Sequence, residues 1–210
     1  MNVYNIIILD ESGSMHHIAE ATIASMNEVL AGIRKDQELF PNQKNFVTIV
    51  TFEGFGMDGV KLRRDCAPIE TISEFTKKDY KPGGCTPLFD AIGRTFNYMF
   101  SIVQPEDRVM ATVITDGYEN ASEEYTYDAI AKRVGSLREK GWTIAYIGAN
   151  QDAMKNARSL NIDNAMNFDA TDKGILTTGQ RLREAKHLSS QLWEEGRRDS
   201  LCNLFVEEYK

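Results

Sequence analysis

Cysteine is scarce in this 210-residue sequence, which has three cysteines spread along the chain. Cys66, Cys85 and Cys202 are odd in number, and no two of them have the close spacing of a zinc knuckle. A disulfide framework normally needs an even number of cysteines, so the sequence argues against both a disulfide framework and a zinc site. Reduced thiols are the simplest interpretation, and they indicate a reducing compartment.

Positive charge and long apolar runs are also in short supply. The 24 Lys and Arg residues are outnumbered by 31 Asp and Glu residues, and no basic cluster offsets the net charge of −7. Nucleic-acid binding requires a concentrated basic face, so the composition argues against it. The first apolar run ends at Asp10, too early to cross a membrane, and the N-terminus lacks the basic start of a signal peptide. We therefore expect a cytoplasmic protein that contacts neither nucleic acid nor membrane.

Short apolar runs alternate with longer amphipathic stretches along the chain. With 42% apolar residues, the sequence has enough apolar side chains for a layered core. Runs rich in β-branched and aromatic residues predict strands at 3–9, 46–52, 60–66, 108–115, 142–148 and 165–168. Apolar residues at helical spacing predict helices at 18–33, 87–99, 127–140, 153–160 and 179–196.

This alternation predicts an α/β fold with an open, doubly wound and mostly parallel sheet. We expect helices on both faces and the first strand near the centre, whereas the glycines at 54, 56 and 59 predict an antiparallel third strand. The sequence shows no repeat or linker, so we expect one domain over residues 1–198, which includes the last helix. Residues 199–210 are an apolar C-terminal segment that we expect either to pack on the domain or to contact a partner.

Polar side chains follow the predicted strands at the edge where α/β proteins bind ligands. Asp10, Ser12 and Ser14 come directly after the first strand, Asp116 follows the strand at 108–115, and Thr86 ends a glycine-rich loop. Two carboxylates and three hydroxyls are hard oxygen donors, which suit Mg²⁺ or Mn²⁺ better than zinc or copper. Mg²⁺ commonly leaves a position for an outside ligand, and a carboxylate would complete both its charge and its coordination.

Three motifs in order carry a resemblance to a known family. The segments IIILDESGSM, KPGGCTPLFDAI and TVITDGYEN resemble a von Willebrand factor type A domain of the bacterial, intracellular type, over about the first four-fifths of the chain. The residues that match the metal-ion-dependent adhesion site of that family are Asp10, Ser12, Ser14, Thr86 and Asp116.

The resemblance implies a sheet with one antiparallel edge strand and one bound cation, Mg²⁺ or else Mn²⁺ or Ca²⁺. It also implies a protein partner that presents an Asp or Glu carboxylate, and no catalysis. Small intracellular members often act beside an ATPase or a kinase and phosphatase, none of which this chain encodes.

Other interpretations of the same residues stay open at this point. A haloacid-dehalogenase-type phosphatase also places an Asp after its first strand and binds Mg²⁺, but it needs a second Asp where this chain has Ser12. Ser and Asp at strand ends also serve as plain helix caps. We expect Glu11 to be a solvent-exposed rim residue. We also expect Asp90 to cap or pair locally, and His16, His17 and Cys85 to be ordinary surface or loop residues.

Overall fold

One six-stranded sheet forms the middle of the molecule. The computed structural model describes residues 1–55, 57–149 and 153–205. Within them the strands are β1 Asn2–Asp10, β2 Lys44–Phe52, β3 Val60–Pro68, β4 Arg108–Thr115, β5 Thr143–Ala149 and β6 Asn164–Phe168. Their order across the sheet is β3-β2-β1-β4-β5-β6. The first strand is therefore central, as its unbroken apolar sequence predicts.

Neighbouring strands run parallel except at one edge. β3 pairs antiparallel with β2 after the glycine-rich turn, and shifts in register interrupt that pairing between Val47 and Val50. The remaining pairs are parallel, with Leu9 of β1 opposite Ile114 of β4. The mostly parallel, doubly wound fold with one antiparallel edge strand is thus confirmed.

Helices cover both faces of the sheet. The described residues form α1 Ala19–Leu39, α2 Leu88–Phe100, α3 Tyr127–Glu139, α4 Ala153–Ser159 and α5 Asp172–Glu194. The core on one side combines residues of α1 and α5, and the core on the other combines residues of α2, α3 and α4. Side chains of β1 alternate between these two cores, as the pleat of a strand requires. Among the helices described, none is long and apolar enough to cross a membrane.

The last helix begins earlier than its apolar spacing predicts. α5 starts at Asp172, seven residues before Gly179, and the hydroxyl of Thr171 caps it by accepting from the backbone N–H of Gly174 at 3.1 Å. Its first two turns carry few apolar residues, so an apolar pattern alone misses them. At Gly179 an added methyl group would lie 2.4 Å from Oγ of Ser25, and the missing side chain therefore allows α1 and α5 to approach closely.

The chain after α5 packs at the sheet edge where β5 and β6 begin. The backbone N–H of Leu201 donates to Oγ1 of Thr143 at 3.0 Å, and Asn164 bonds the backbone of both Leu201 and Leu204. Both leucines are buried in the core, and Phe205 is partly buried against it. This edge is opposite to the carboxyl ends of the strands. Residues 206–210 of the predicted C-terminal segment lie outside the described part of the chain.

Helix α5 carries a buried lysine that contacts the first strand, β1. Lys186 is 3% exposed, and its Nζ donates to Oδ1 of Asn5 at 3.3 Å. Burial lowers the pKa of Lys186 to about 7, partly offset by the nearby charge of Asp36 on α1. Asp36 is itself buried and bonds Nδ1 of His187 at 2.6 Å. The α1–sheet–α5 interface therefore contains ionisable groups as well as apolar side chains.

Candidate metal centre

Two of the predicted site segments meet because their strands are hydrogen-bonded neighbours. β1 ends at Asp10 and the adjacent parallel strand β4 ends at Thr115, so the loops after them start side by side. Oγ1 of Thr115 donates to Oδ2 of Asp10 at 2.5 Å, and Asp10 is fully buried. Tyr80 donates to the backbone oxygen of Asp10 at 2.6 Å, which holds the next loop against the same strand end.

The loop after β1 is organised by its own side chains. The backbone N–H of Ser12 donates to Oδ1 of Asp10 at 2.7 Å, which bends the chain sharply after the strand. A 3₁₀ turn then starts at Gly13 and places Oγ of Ser14 3.1 Å from Oγ of Ser12. Ser14 also donates to Oδ1 of Asp116 across the gap between the two loops. The structure therefore brings both serines and both aspartates into one cluster.

Thr86 reaches the same cluster from the glycine-rich loop before α2. Its backbone N–H donates to Oδ1 of Asn120 at 2.8 Å, and its backbone oxygen accepts from the N–H of Asn120 at 3.2 Å. Gly84 is left-handed with φ +65°, and a methyl group there would lie 2.5 Å from Oε2 of Glu53. This position therefore needs glycine for the loop to close over the site.

Oxygens from three separate segments converge on one small space above Gly117. A methyl group added at Gly117 would lie 3.3 Å from Oγ1 of Thr86, 3.7 Å from Oγ of Ser14 and 3.8 Å from Oδ2 of Asp10. Oδ2 of Asp116 is buried, and the described residues give it no hydrogen-bond partner. A buried carboxylate oxygen without a partner is costly, so a bound ligand there would offset a real penalty.

Burial changes the electrostatics of the two aspartates. It raises the pKa of Asp10 to about 6, although hydrogen bonds from Thr115 and Ser12 favour the ionised form. It also raises the pKa of Asp116, against the opposing effect of the bond from Ser14. The two carboxylates therefore place negative charge in a poorly solvated position, where a cation would be favourable.

The composition of the cluster decides which cations fit it. Among the described residues, no three or more His, Cys, Asp or Glu side chains are grouped in a way that would hold a metal ion. A cation here would therefore depend on the hydroxyls of Ser12, Ser14 and Thr86 as well as on carboxylates. Such a set of oxygen donors fits a hard divalent ion such as Mg²⁺. The helix-cap interpretation has less support, because Ser12 and Pro87, the residues that precede the 3₁₀ turn and α2, make no side-chain cap bond.

The expectation for Glu11 is wrong. Its side chain is fully buried and pairs with Arg63, whose Nη2 lies 2.8 Å from Oε2 and 3.1 Å from Oε1 of Glu11. Arg63 is also bonded through Nε to Thr51 at 2.8 Å, and Glu11 accepts from the backbone N–H of Lys81 at 2.5 Å. Glu11 is buried because it ties the first loop both to the edge strand β3 and to the loop that carries Thr86.

The remaining polar residues near the motifs have supporting roles. Asp90 is buried and accepts backbone N–H bonds from residues 123, 124 and 125, so it fixes the loop between β4 and α3. His16 is exposed. His17 is also exposed, but Nδ1 lies 2.7 Å from the backbone oxygen of Ser14 and Nε2 lies 2.8 Å from that of Ala170. The contact with Ala170 raises the pKa of His17 most, and the contact with Ser14 raises it further.

Three residues that hold the candidate ligand residues in place were not predicted from the sequence. Thr115 stands next to Asp116 in the T-D-G motif, so its position alone could have indicated it. Asn120 is the last residue of the segment TVITDGYEN, so the motif contains it but does not show that it bonds Thr86. Arg63 carries no local signal, because it reaches Glu11 from the edge strand β3, and only the arrangement of strands in space shows that it belongs to the site.

The comparisons with known proteins agree on the fold. A model of the von Willebrand factor type A domain matches residues 6–181. Comparison with curated protein sequences gives no match.

Several solved structures are similar. A von Willebrand factor type A protein from Catenulispora acidiphila has a TM-score of 0.60 and 16% identity, over 86% of this chain and 41% of that one. The pilus adhesin SpaC from Lactobacillus rhamnosus GG has a TM-score of 0.63 and 13% identity, over 87% of this chain and 30% of the adhesin. The SpRpn10 VWA domain has a TM-score of 0.57 and 10% identity, over 83% of this chain and 92% of that domain.

This chain therefore spans less than half the length of the first two proteins, and at such identities the likeness shows the fold. The family model covers most of the chain, from the first strand into α5. The chain accordingly belongs to the von Willebrand factor type A domain family, a family of protein-interaction and adhesion modules.

Proposed function

We propose that this chain is a metal-dependent protein-binding module. It holds one divalent cation, Mg²⁺ or else Mn²⁺ or Ca²⁺, and presents it to an Asp or Glu carboxylate of a partner protein. The observation that carries the proposal is the convergence of oxygens from Thr86, Ser14 and Asp10 on the space above Gly117. The buried and unpartnered Oδ2 of Asp116 beside that space supports it.

Each ligand residue has a distinct role in this proposal. The hydroxyls of Ser12, Ser14 and Thr86 would hold the cation directly, and they bring no formal charge. Asp10 and Asp116 orient two of the hydroxyl-bearing residues and supply the negative charge that retains the cation. When bound, the cation would supply an electrophilic position for a hard anionic ligand. A partner carboxylate meets that requirement better than a neutral amide.

The surroundings of Asp10 favour binding over catalysis. Its Oδ1 accepts from the backbone of Ser12 and its Oδ2 accepts from Thr115, so both oxygens are engaged. A haloacid-dehalogenase-type phosphatase would need a free nucleophilic oxygen there and an acid two residues later. The family assignment gives that alternative no support.

We place this module in the cytoplasm, in a complex with an ATPase or with a kinase and phosphatase. The three cysteines are unpaired, which fits a reducing compartment. The complex itself is an inference from the resemblance to small intracellular members of the family.

Gly117→Ala tests the position of the cation. The added methyl group would occupy the space between Thr86 and Asp10, so we expect Mg²⁺ affinity to fall by about tenfold or more, or about 1.4 kcal/mol. Isothermal titration calorimetry with MgCl₂ measures this loss. Gly83→Ala is the matched control, because nothing lies within 4 Å of a methyl group at that neighbouring loop position. Equal Mg²⁺ affinity in the two variants would show that the cation does not bind next to Gly117.

The partner interaction is the direct test of function. A partner is recovered from cell extract on the immobilised chain in MgCl₂, purified, and its affinity is measured with Mg²⁺ and with EDTA. We expect EDTA, Ser12→Ala and Thr86→Ala each to weaken binding by about tenfold or more. The same loss should follow when the critical Asp or Glu of the partner is changed to its amide.

His16→Ala is the control for this experiment, because His16 is exposed beside the site and is no ligand in the proposal. Melting temperatures in EDTA show that each variant is folded. An affinity that EDTA and both ligand substitutions leave unchanged would mean that the partner binds elsewhere, and the proposed function would be wrong.

A further inference from the structure

An apolar cavity of about 170 Å³ opens beside the candidate metal centre. A cavity of about 150 Å³ accepts a benzene ring, so this one has room for one aromatic or branched aliphatic side chain. We call it the aromatic pocket. The apolar and aromatic side chains that line it are Leu88, Phe89, Tyr118, Tyr127, Tyr146 and Leu160.

The aromatic pocket is built on the same two loops as the metal centre. Leu88 and Phe89 follow Thr86 by two and three residues, and Tyr118 follows Asp116 by two. Because consecutive Cα atoms are about 3.8 Å apart, the Cα atoms of Leu88 and Tyr118 lie within about 8 Å of those of Thr86 and Asp116. The backbone N–H of Phe89 donates to Oε2 of Glu119 at 2.9 Å and so fastens one wall to the other. The pocket and the metal centre are therefore built side by side on these two loops.

The charge of Glu119 at this pocket is already engaged. Its Oε1 accepts from the backbone of Ala121 at 2.8 Å and of Ser122 at 2.7 Å, and its Oε2 accepts from Phe89 and from Oγ of Ser122. Glu119 thus stabilises the loop, and its carboxylate is not free to attract a basic side chain of a partner. The rest of the lining is mostly apolar and aromatic, with Asn156 and Ser159 as its other polar residues.

Tyr118 is the aromatic wall of the pocket that is most exposed to solvent. Its side chain is 63% exposed, although it is a large aromatic residue next to the candidate site. Exposed aromatic side chains of this kind are typical of interface anchors, because they bury a large area at a small entropic cost. Contact with a partner would cover the exposed ring and fill the cavity behind it.

We infer that the aromatic pocket takes one apolar side chain of the partner, within two residues of the Asp or Glu that reaches the metal centre. An extended peptide advances about 3.3 Å per residue, so two residues span about 7 Å, which is comparable with the limit of about 8 Å between the Cα atoms of Thr86 and Leu88 or of Asp116 and Tyr118. The partner recognised is therefore a segment with an acidic residue and, next to it or one position further, an aromatic, Leu or Ile side chain. This inference rests on the proposed function of the metal centre.

A phage-displayed library of random dodecapeptides tests the inference on the full chain. Phages are bound to the immobilised chain in MgCl₂ and eluted with EDTA, so only metal-dependent binders are sequenced. We expect Asp or Glu to be enriched together with an apolar side chain within two positions. The apolar preference should be about tenfold or more, the factor that burial of one such side chain supplies.

Two variants and a control locate the preference in the pocket. Tyr118→Ala removes the exposed wall, and Ser159→Trp adds a large side chain at an exposed position on the rim. Both should lose the apolar preference and keep the enrichment of Asp and Glu. Leu39→Ala is the control, because Leu39 is 52% exposed at the far end of α1. It should select the same peptides as the wild type.

The outcomes separate this inference from the proposed function. Acidic peptides with no preferred neighbour, or a preference that both pocket variants keep, would overturn the inference and leave the metal-dependent module intact. A wild-type pool without EDTA-reversible binders would overturn both.

Discussion

Lys186→Met is expected to raise the free energy of unfolding near pH 7 by about 2–4 kcal/mol. The pKa of Lys186 falls from 10.5 to about 7 because the side chain is buried. At about 1.36 kcal/mol per pKa unit, this corresponds to a penalty on the order of 5 kcal/mol for the charged form. Methionine removes the penalty but leaves Oδ1 of Asn5 without the Nζ donor, which costs about 1–3 kcal/mol.

The gain should depend on pH in a defined direction. Between about pH 7 and pH 10.5 the unfolded chain binds a proton that the folded chain does not, so the stability of the wild type rises with pH in that window. Below about pH 7 the lysine is charged in both states and the penalty is fully present. Above about pH 10.5 it is neutral in both, and the variant should have lost its advantage.

Urea unfolding at a series of pH values across this window measures the difference between the two proteins. Lys35→Met is the matched control, because Lys35 is exposed on α1 and loses the same charge without losing a burial penalty. It should leave stability nearly unchanged throughout. A constant difference between wild type and Lys186→Met from neutral to alkaline pH would show that Lys186 keeps an ordinary pKa.

The sequence predicts the sheet well because each strand is recognisable from its own residues. The strand at 108–115 is predicted at its observed bounds, because Arg108–Thr115 is a short apolar run between polar turns. Helix α3 also begins where its apolar spacing predicts, at Tyr127. The predicted start of α5 is wrong because a capping Thr and a polar first turn mark the start of this helix. Apolar spacing detects neither of them.

Only those residues of the candidate site that are close together in the sequence can be predicted from it. Asp10, Ser12 and Ser14 share one loop, so their spacing alone indicates a common target. Glu11 stands in the same loop and is still misjudged, because its burial depends on Arg63, which is 52 residues away in an antiparallel edge strand. No period or spacing in a single sequence reports such a pairing. The pocket that begins at Tyr118 is missed for the same reason.

Mg²⁺ is expected to stabilise the wild type and to leave Asp10→Asn nearly unaffected. A ligand at about a hundredfold excess over its dissociation constant adds about 2.7 kcal/mol to the free energy of unfolding. For a domain of this size that gain corresponds to a rise in melting temperature of roughly 5–10 °C. Asp10 and Asp116 supply the charge in this position, and Asp10 is fully buried, so solvent hardly screens its attraction for a cation.

Asp10→Asn is the sharpest variant for this test because it removes the charge and keeps the size of the side chain. The amide oxygen can still accept from the backbone N–H of Ser12, and the amide N–H can donate to the hydroxyl of Thr115, so the loop after β1 should remain folded in EDTA. Differential scanning calorimetry in MgCl₂ and in NaCl of the same ionic strength separates binding from screening. Glu38→Gln is the charge-matched control, because Glu38 is exposed near the far end of α1 and should keep the full Mg²⁺ response. If Mg²⁺ raises the melting temperature of wild type and Asp10→Asn equally, the cation is held somewhere other than this cluster.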